Sequence, residues 1–155
     1  MNDSWPVAEL DSVRRLWVIA RSTPGVAYAE QVIDAPYDRV WAAAADLESQ
    51  MPMLITDIRS FTVTSASGER LEALARSPLG LRARFDVRLR PGWCLMRSRF
   101  LLGGMAAVPE GEGTRFAFFG GLRLPGIRLV DTALRPLTEP LAARALKRFA
   151  DRLRP

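Results

Sequence analysis

The stretch of the chain that most constrains its fold is VAYAEQVIDAPYDRVWAAAA, residues 26–45. Val26–Ile33 is rich in β-forming residues and predicts a strand. Asp34 can cap a helix, and Pro36 is tolerated in a first helical turn, where its missing N–H is not needed. The apolar residues that follow lie on one side of this helix: Val40, Trp41, Ala44 and Ala45. The stretch therefore predicts a strand, a sharp turn and a helix that needs a packing partner.

Residues 1–25 form a separate segment in this reading, an N-terminal amphipathic helix and a linker. Ser4 can cap a helix from about Pro6 to Arg21. Its apolar side carries Leu10, Val13, Trp17 and Ala20, and its other side carries Asp11, Arg14, Arg15 and Arg21. The short apolar face favours packing on the body of the protein over contact with a membrane or a partner.

The central part of the chain reads as hairpins. A short helix, Leu47 to Met51, ends at Pro52 and precedes them. The predicted strands are Ile55–Thr64, Glu69–Ser77, Leu81–Arg90, Trp93–Phe100, Leu102–Val108 and Thr114–Leu122. With Val26–Ile33 they make about seven. The pairs Gly103-Gly104 and Gly120-Gly121 predict bulges or bends that let the sheet curl.

The alternation of apolar and charged residues indicates which side chains of two neighbouring strands face inward. Apolar residues take the odd positions of residues 81–90 and should face inward: Leu81, Ala83, Phe85, Val87 and Leu89. In the next strand either Cys94, Met96, Ser98 and Phe100 face inward, or Trp93 and Leu95 do so together with Arg97 and Arg99. The first alternative is favoured because burying unpaired arginines is costly. Phe116 and Phe118 share a face with Thr114, which we place inside.

The last predicted helix is apolar along one side to the end of the chain. Thr138 can cap it, and Pro140 is tolerated in its first turn. Its apolar stripe consists of Leu141, Ala142, Ala145, Leu146, Phe149 and Leu153. A long amphipathic helix after a set of hairpins indicates an α+β protein.

Two motifs resemble a known family. Ile33-Asp34-Ala35-Pro36, with Arg39-Val40-Trp41 and Asp46, is similar to the strand-to-helix opening of the START-related superfamily (SRPBCC), which includes polyketide cyclases and lipid-transfer domains. Gly113-Thr114-Arg115 is a second, weaker match. The resemblance implies that residues 26–155 form a START-like helix-grip domain. In that fold a curved antiparallel sheet of about seven strands wraps a long C-terminal helix, two short helices follow the first strand, and a cavity for an apolar ligand lies inside.

Composition limits the chemistry. The chain of 155 residues fits one domain, and it contains one cysteine and no histidine. Ser-His and Cys-His nucleophiles and the commonest metal ligand are therefore absent, so we predict neither a metal site nor a cofactor, and the catalytic residues, if any, are unknown. No apolar run approaches the roughly 20 residues of a membrane span. Asp3, Glu9 and Asp11 do not fit a secretory signal, which predicts a cytoplasmic protein.

Arginine dominates the charge. The net charge is +5, and every basic residue except Lys147 is arginine. Arg82, Arg84, Arg88 and Arg90 share one outer face, where they could meet phosphates. No aromatic interleaving or nucleic-acid motif accompanies them, so nucleic acid is not the expected partner and contact with a membrane surface would be transient. The sequence leaves open whether the protein is a monomer or a homodimer.

The leading hypothesis is binding or transport of an apolar or amphipathic small molecule, such as a lipid, quinone or polyketide-like compound. The predicted ligand-binding residues are Tyr28, Phe85, Met96, Ser98, Phe116, Phe118, Leu146 and Phe149. Tyr28 and Ser98 would orient the ligand, and the other residues would form apolar walls. Two alternatives stay open. One is a polyketide cyclase or aromatase that uses Arg97, Arg99, Tyr28 and Glu30; the other is an interaction module that uses the basic outer face.

Overall fold

The structure, a computed structural model, describes residues 9–55 and 57–155. The elements in chain order are α1 Ser12–Ser22, β1 Val26–Ile33, α2 Tyr37–Ala45, α3 Leu47–Leu54, β2 Ser60–Ser67, β3 Arg70–Arg76, β4 Arg82–Arg90, β5 Trp93–Arg97, β6 Leu101–Glu110, β7 Gly113–Leu122 and α4 Ile127–Leu153. The strands form one antiparallel sheet in the order β1-β7-β6-β5-β4-β3-β2. The inner face of this curved sheet carries the main apolar cluster, to which α2, α3 and α4 contribute. The predicted α+β helix-grip architecture is confirmed.

The N-terminal helix packs on the outer face of the sheet. Val13, Leu16 and Ala20 are buried there with Phe119 and other residues of β1, β6 and β7. Among the described residues α1 begins at Ser12, because the Asp11 carboxylate accepts a hydrogen bond from the backbone N–H of Arg14 at 2.9 Å. The prediction of a start near Pro6 is wrong for residues 9–11, which are not helical, while Ser4 and Pro6 lie outside the described residues.

The buried stripe of α1 also differs from the prediction. Leu16 is completely buried, whereas Trp17 is 40% exposed with the guanidinium of Arg21 5.6 Å from its ring centre. The stripe 13, 16 and 20 has the three- and four-residue spacing of a helix face. Leu16 and Trp17 are adjacent in the sequence and both are apolar. Leu16 is the buried one because it lies on the face of α1 that contacts the sheet.

Pro52 does not end α3, contrary to the prediction. The helix runs from Leu47 to Leu54, and the backbone N–H of Ile55 still donates to the carbonyl of Met51 at 3.0 Å. A proline so near the C-terminus disturbs only one helical hydrogen bond. Asp34 likewise caps nothing at α2, whose N-cap position is Pro36 without a side-chain hydrogen bond.

Two predicted strands are shorter at one end. β2 begins at Ser60, not Ile55, and β5 ends at Arg97, not Phe100. Phe100 consequently lies in a turn and is 48% exposed, and Leu81, which precedes β4, is 70% exposed. The favoured parity is confirmed at Phe85, Val87, Cys94 and Met96, which are buried on the inner face.

The glycine pairs are not bulges. The registers of β5–β6, β6–β7 and β1–β7 are continuous through Gly103-Gly104 and Gly120-Gly121, and the register shift of the sheet lies between Val63 and Ser65. Gly104 instead permits a close approach, since a Cβ there would lie 3.0 Å from Leu16 of α1 and 2.9 Å from the Phe119 ring. The missing side chain therefore makes room for α1.

The last helix begins eleven residues before the predicted cap at Thr138. α4 starts after Gly126, which has a positive φ of 80°, and it passes through Pro136 and Pro140. Both prolines are exposed, so water can satisfy the carbonyl groups that lose their helical partners. In the described part of the chain, no helix is long and apolar enough to cross a bilayer.

Candidate functional site

Six of the eight predicted ligand-binding residues lie together on the inside of the sheet and on α4. All six are buried in one apolar cluster: Phe85, Met96, Phe116, Phe118, Leu146 and Phe149. The rings of Phe116 and Phe149 have centres 4.9 Å apart, which joins the sheet to α4. A second ring pair, Phe61 and Phe85, lies on the β2–β4 side with centres 5.8 Å apart. The interior thus consists of aromatic and aliphatic side chains that pack together.

Tyr28 does not point into this interior. Its side chain packs with the α1 cluster on the outer side of β1, because even-numbered residues of β1 face outward. The Tyr28 hydroxyl donates a hydrogen bond of 2.7 Å to Glu30. Burial first, and the Glu30 hydrogen bond second, raise the pKa of Tyr28 well above its usual value. Tyr28 is therefore a hydrogen-bond donor at neutral pH and cannot serve as a base.

Ser98 does not line the interior either. It lies one residue beyond β5, and its Oγ accepts hydrogen bonds from the backbone N–H groups of Phe100 at 3.4 Å and Leu101 at 3.1 Å. These bonds fix the turn between β5 and β6. The expectation that Ser98 continues the inward face failed because the strand ends before it.

A surface groove of about 440 Å³ lies where α4 crosses the edge of the sheet at β1. It is lined by Tyr28, Ala29, Glu30 and Gln31 of β1 and by Pro136, Glu139, Pro140, Ala143 and Leu146 of α4. Ala29 and Leu146 are 7% and 1% exposed and also belong to the inner apolar cluster. The groove therefore borders the buried apolar cluster.

The polar groups around the groove are mostly acceptors. Glu30 already accepts from Tyr28 and lies 3.9 Å from the guanidinium of Arg115. Glu139 has no carboxylate contact with a basic side chain within the described residues. Gln31 adds an amide group. Carboxylates accept but do not donate at neutral pH, so the rim suits a ligand end that donates hydrogen bonds.

Most residues of this groove were not predicted from the sequence. Gln31, Glu139 and Ala143 were not singled out, because Pro140 suggested that the helix starts near Glu139 and because β1 gave no sign of being an edge strand. The only signal in the sequence was Gln31 itself, a polar residue on the otherwise apolar inner side of β1.

A second groove, of about 580 Å³, lies across β2–β5 and includes part of the basic outer face. The predicted ligand-binding residues Phe85 and Ser98 also line it, and Phe85 belongs to the buried apolar cluster. Arg97 and Arg99 are exposed here, so neither arginine reaches the interior. They therefore cannot contact a ligand there, as the cyclase hypothesis requires. Arg84 shares the groove, but Glu72 and Asp86 interrupt the basic row, since Asp86 pairs in register with both Glu72 and Arg97. This mixed lining weakens the case for a polyanion partner on that face.

Cys94 offers no nucleophile. It is fully buried on the inner face, and desolvation raises the pKa of its thiol to about 12. A thiol with so high a pKa stays protonated and unreactive at neutral pH.

The architecture is a START-like helix-grip fold. No family model matches the chain, and no curated protein matches it in sequence. Among solved structures, it is similar to a protein from Thermus thermophilus, with 25% identity, a TM-score of 0.60 and coverage of 83% of this chain and 96% of that one.

Two further solved structures carry descriptive names. One is a START superfamily protein from Mycobacterium smegmatis, with 14% identity, a TM-score of 0.55 and coverage of 84% and 99% of the two chains. The other is the ZhuI aromatase/cyclase from a Streptomyces species, with 14% identity, a TM-score of 0.54 and coverage of 82% and 84%. These similarities confirm the START-like fold.

Proposed function

We propose that this protein binds an apolar or amphipathic small molecule between the inner face of the sheet and α4, with the β1–α4 groove as its access route. The observation that carries the proposal is that the β1–α4 groove lies between the sheet and α4 and combines exposed polar groups with one residue of the buried apolar cluster from each side, Ala29 and Leu146. Ligand pockets commonly combine an apolar interior with a few polar groups that fix orientation.

The sheet register supports an inward path. Ala29 is paired with Phe118 and Gln31 with Phe116, so the aromatic residues of β7 lie one strand spacing, about 4.8 Å, beyond the groove. Phe149 on α4 contacts Phe116 from the other side. A ligand chain that enters past Ala29 would meet these rings first. Burial of each methylene would contribute about 0.8 kcal/mol.

The rim indicates which end of the ligand stays outside. The carboxylates of Glu30 and Glu139 would accept hydrogen bonds from a hydroxyl or amino group of the ligand. The ligand class that fits is therefore an apolar body with a hydrogen-bond-donating end, such as a hydroxylated quinone, a sterol-like alcohol or a phenolic polyketide. The names of the two similar proteins, a START superfamily protein and an aromatase/cyclase, are compatible with a ligand-binding use of this fold.

The test is native mass spectrometry of the purified protein, followed by organic extraction and titration with a fluorescent apolar probe. We expect a defined apolar compound, or saturable probe binding displaced by hydroxylated aromatic compounds. Ala143→Phe should fill the groove and weaken binding at least tenfold. Arg144→Phe is the matched control, since its side chain is exposed next to Ala143 and does not line the groove. Equal loss in both variants, or no probe binding in the wild type, would refute the proposal.

A further inference from the structure

Several exposed large apolar residues of the strand connections cluster at one end of the sheet. Because the sheet is antiparallel, the connections α3–β2, β3–β4, β5–β6 and β7–α4 lie at the same end; we call residues 57–59, 76–82, 98–100 and 123–128 the loop end. Leu79 is 89% exposed here and Leu81 70% exposed, and Phe100 and Leu124 are also exposed. Leu129, 88% exposed, follows on the first turn of α4. Such a concentration of large apolar side chains marks an interaction site.

Arginines surround these apolar side chains. The loop end contains one acidic residue, Asp57, and six exposed arginines: Arg59, Arg76, Arg82, Arg99, Arg123 and Arg128. Within residues 9–55 and 57–155, none of these six guanidinium groups lies within 4.0 Å of a carboxylate. They are therefore free to meet anions from outside the molecule.

The opposite end of the sheet is acidic and carries fewer exposed apolar side chains. Its connections, residues 34–38, 67–70, 90–93 and 110–113, contain five acidic residues and only two arginines, Arg70 and Arg90. In these four described segments no large apolar side chain is exposed. The combination of exposed apolar side chains and excess positive charge thus distinguishes the loop end from the opposite end of the sheet.

The exposed apolar residues Leu79, Leu81 and Phe100 lie in turns that are fixed by hydrogen bonds. The Ser77 Oγ accepts from the backbone N–H groups of Leu79 at 3.2 Å and Leu81 at 3.1 Å. The backbone N–H of Arg123 donates to the carbonyl of Phe100 at 2.7 Å, which joins the β7–α4 and β5–β6 connections. Because the turns are fixed by their own hydrogen bonds, the exposed side chains are presented outward with little entropy left to lose.

We propose that the loop end docks the protein on an anionic lipid bilayer, with Leu79, Leu81 and Phe100 inserted among the acyl chains and the six arginines on the phosphates. Stable binding to a membrane surface needs two signals, buried apolar area and basic charge, and this end supplies both within the same loops. The guanidinium of Arg99 lies 5.2 Å from the centre of the Phe100 ring, which places an apolar and a basic group side by side.

A lipid surface fits these observations better than a soluble polyanion does. Nucleic acid would use the arginines but would leave the leucine side chains in water, since leucine offers no stacking surface to a base. A bilayer interface accepts both kinds of group at once. The inference stands apart from the ligand-binding proposal, because the loop end shares no residue with the β1–α4 groove.

The experiment is co-sedimentation of the full chain with vesicles of phosphatidylcholine alone or with about 30% phosphatidylglycerol, an anionic fraction large enough to give a surface potential. We expect binding to the anionic vesicles at low salt, weaker binding at high salt and little binding to phosphatidylcholine alone. The double variant Leu79→Ser, Phe100→Ser should weaken binding at least tenfold, and Arg99→Gln about fivefold. All three positions are exposed, so circular dichroism should be unchanged.

Matched controls separate this proposal from others. Leu137→Ser on α4, where the leucine is 67% exposed, and Arg70→Gln at the opposite end should bind like the wild type. Ala143→Phe should do so as well, so failure of the groove and failure of the loop end are distinguishable. Vesicle binding that the double variant retains, binding independent of phosphatidylglycerol, or no binding at low salt would overturn the proposal. So would tight binding of duplex RNA with the same affinity in the wild type and the double variant.

Discussion

Thr114 on β7 donates a hydrogen bond from its Oγ1 to the carbonyl oxygen of Ala35 at 2.8 Å. Thr114 is completely buried and Ala35 is 4% exposed, although 79 positions of sequence separate them. The bond joins the two segments that resemble the START-related superfamily, the Asp34-Ala35-Pro36 boundary and Gly113-Thr114-Arg115. The motif threonine thus fixes the point where β1 ends and α2 begins.

Loss of this bond should destabilise the fold. In Thr114→Val the shape is kept, but the Ala35 carbonyl loses this partner in a buried setting, which costs about 1–3 kcal/mol in the free energy of unfolding. Thr62→Val, an exposed position on β2, is the control and should change the free energy by less than about 0.5 kcal/mol. Urea unfolding measures both, and equal values would argue against a role for the buried bond.

Asp11 should stabilise α1 through two separable contacts. Its carboxylate caps the helix, and its Oδ2 lies 3.0 Å from Arg115. Asp11→Asn keeps a capping oxygen and loses the ion pair, so we expect a loss below about 1 kcal/mol that vanishes at high salt, because the pair is partly exposed. Asp11→Ala should lose about 1 kcal/mol more, at any salt concentration. Thermal unfolding at two salt concentrations distinguishes the contacts; identical losses would contradict the assignment.

Gly104 should be intolerant of a side chain. A Cβ in Gly104→Ala would lie 2.9 Å from the Cys94 carbonyl oxygen and 3.0 Å from Leu16, so α1 or the sheet must shift, at a cost of about 1–3 kcal/mol. Gly120 is a matched strand glycine whose Cβ would meet nothing closer than 4.0 Å. Gly120→Ala should be neutral or slightly stabilising. The order of the two unfolding midpoints in urea is the test.

Cys94 should make the stability of the protein fall at alkaline pH. Burial raises the pKa of the folded thiol from 9.0 to about 12, so above pH 9 the unfolded chain releases a proton that the folded chain retains. Stability from this group is complete below pH 9 and is lost as the pH rises towards 12, by up to about 1.4 kcal/mol per pH unit. Cys94→Ala should show a smaller decrease than the wild type. Parallel pH profiles of the two proteins would refute the claim.

Asp131 should hold the start of α4. Its carboxylate accepts from the backbone N–H of Gly25 at 2.7 Å and from Arg135 at 3.0 Å. Asp131→Ala should therefore speed hydrogen exchange in the first two turns of α4 and at Gly25. Asp131→Asn, which keeps an acceptor oxygen for Gly25, should show a smaller effect. Exchange measured by mass spectrometry with peptide resolution would reveal it, and unchanged rates in Asp131→Ala would count against the anchor.

Local patterns predicted the inner face of the sheet well. β1 has the predicted bounds, and Phe85, Met96, Phe116 and Phe118 are buried as the alternation indicates. Alternation works because one face of each strand contacts the core and the other does not. The same reasoning failed at Ser98 and Phe100, since the turn after Arg97 interrupts the pleat, and the sequence has no glycine or proline there to indicate it.

The start of α4 and the facing of Tyr28 show what local propensity could not predict. Thr138 and Pro140 predicted a helix start, yet α4 passes through Pro136 and Pro140 because that part of the helix is exposed to water, which can satisfy the carbonyl groups that lose their helical partners. Tyr28 looked like an inward polar group beside a cavity, and its true side became clear only from the pairing of β1 with β7. Strand pairing is a long-range property that the local pattern does not contain.

The pairing of β1 with β7 also sets an order of events in synthesis. Val26 pairs with Gly121 and Ile33 with Thr114, so all of β2–β6 must be made before β1 finds its partner. At a translation rate of roughly 5–20 residues per second, β1 waits several seconds after leaving the ribosome. During that time the apolar side of β1 is exposed to solvent and is accessible to a chaperone. In the nascent chain, the strand that is synthesised first is therefore among the last to be buried in the sheet.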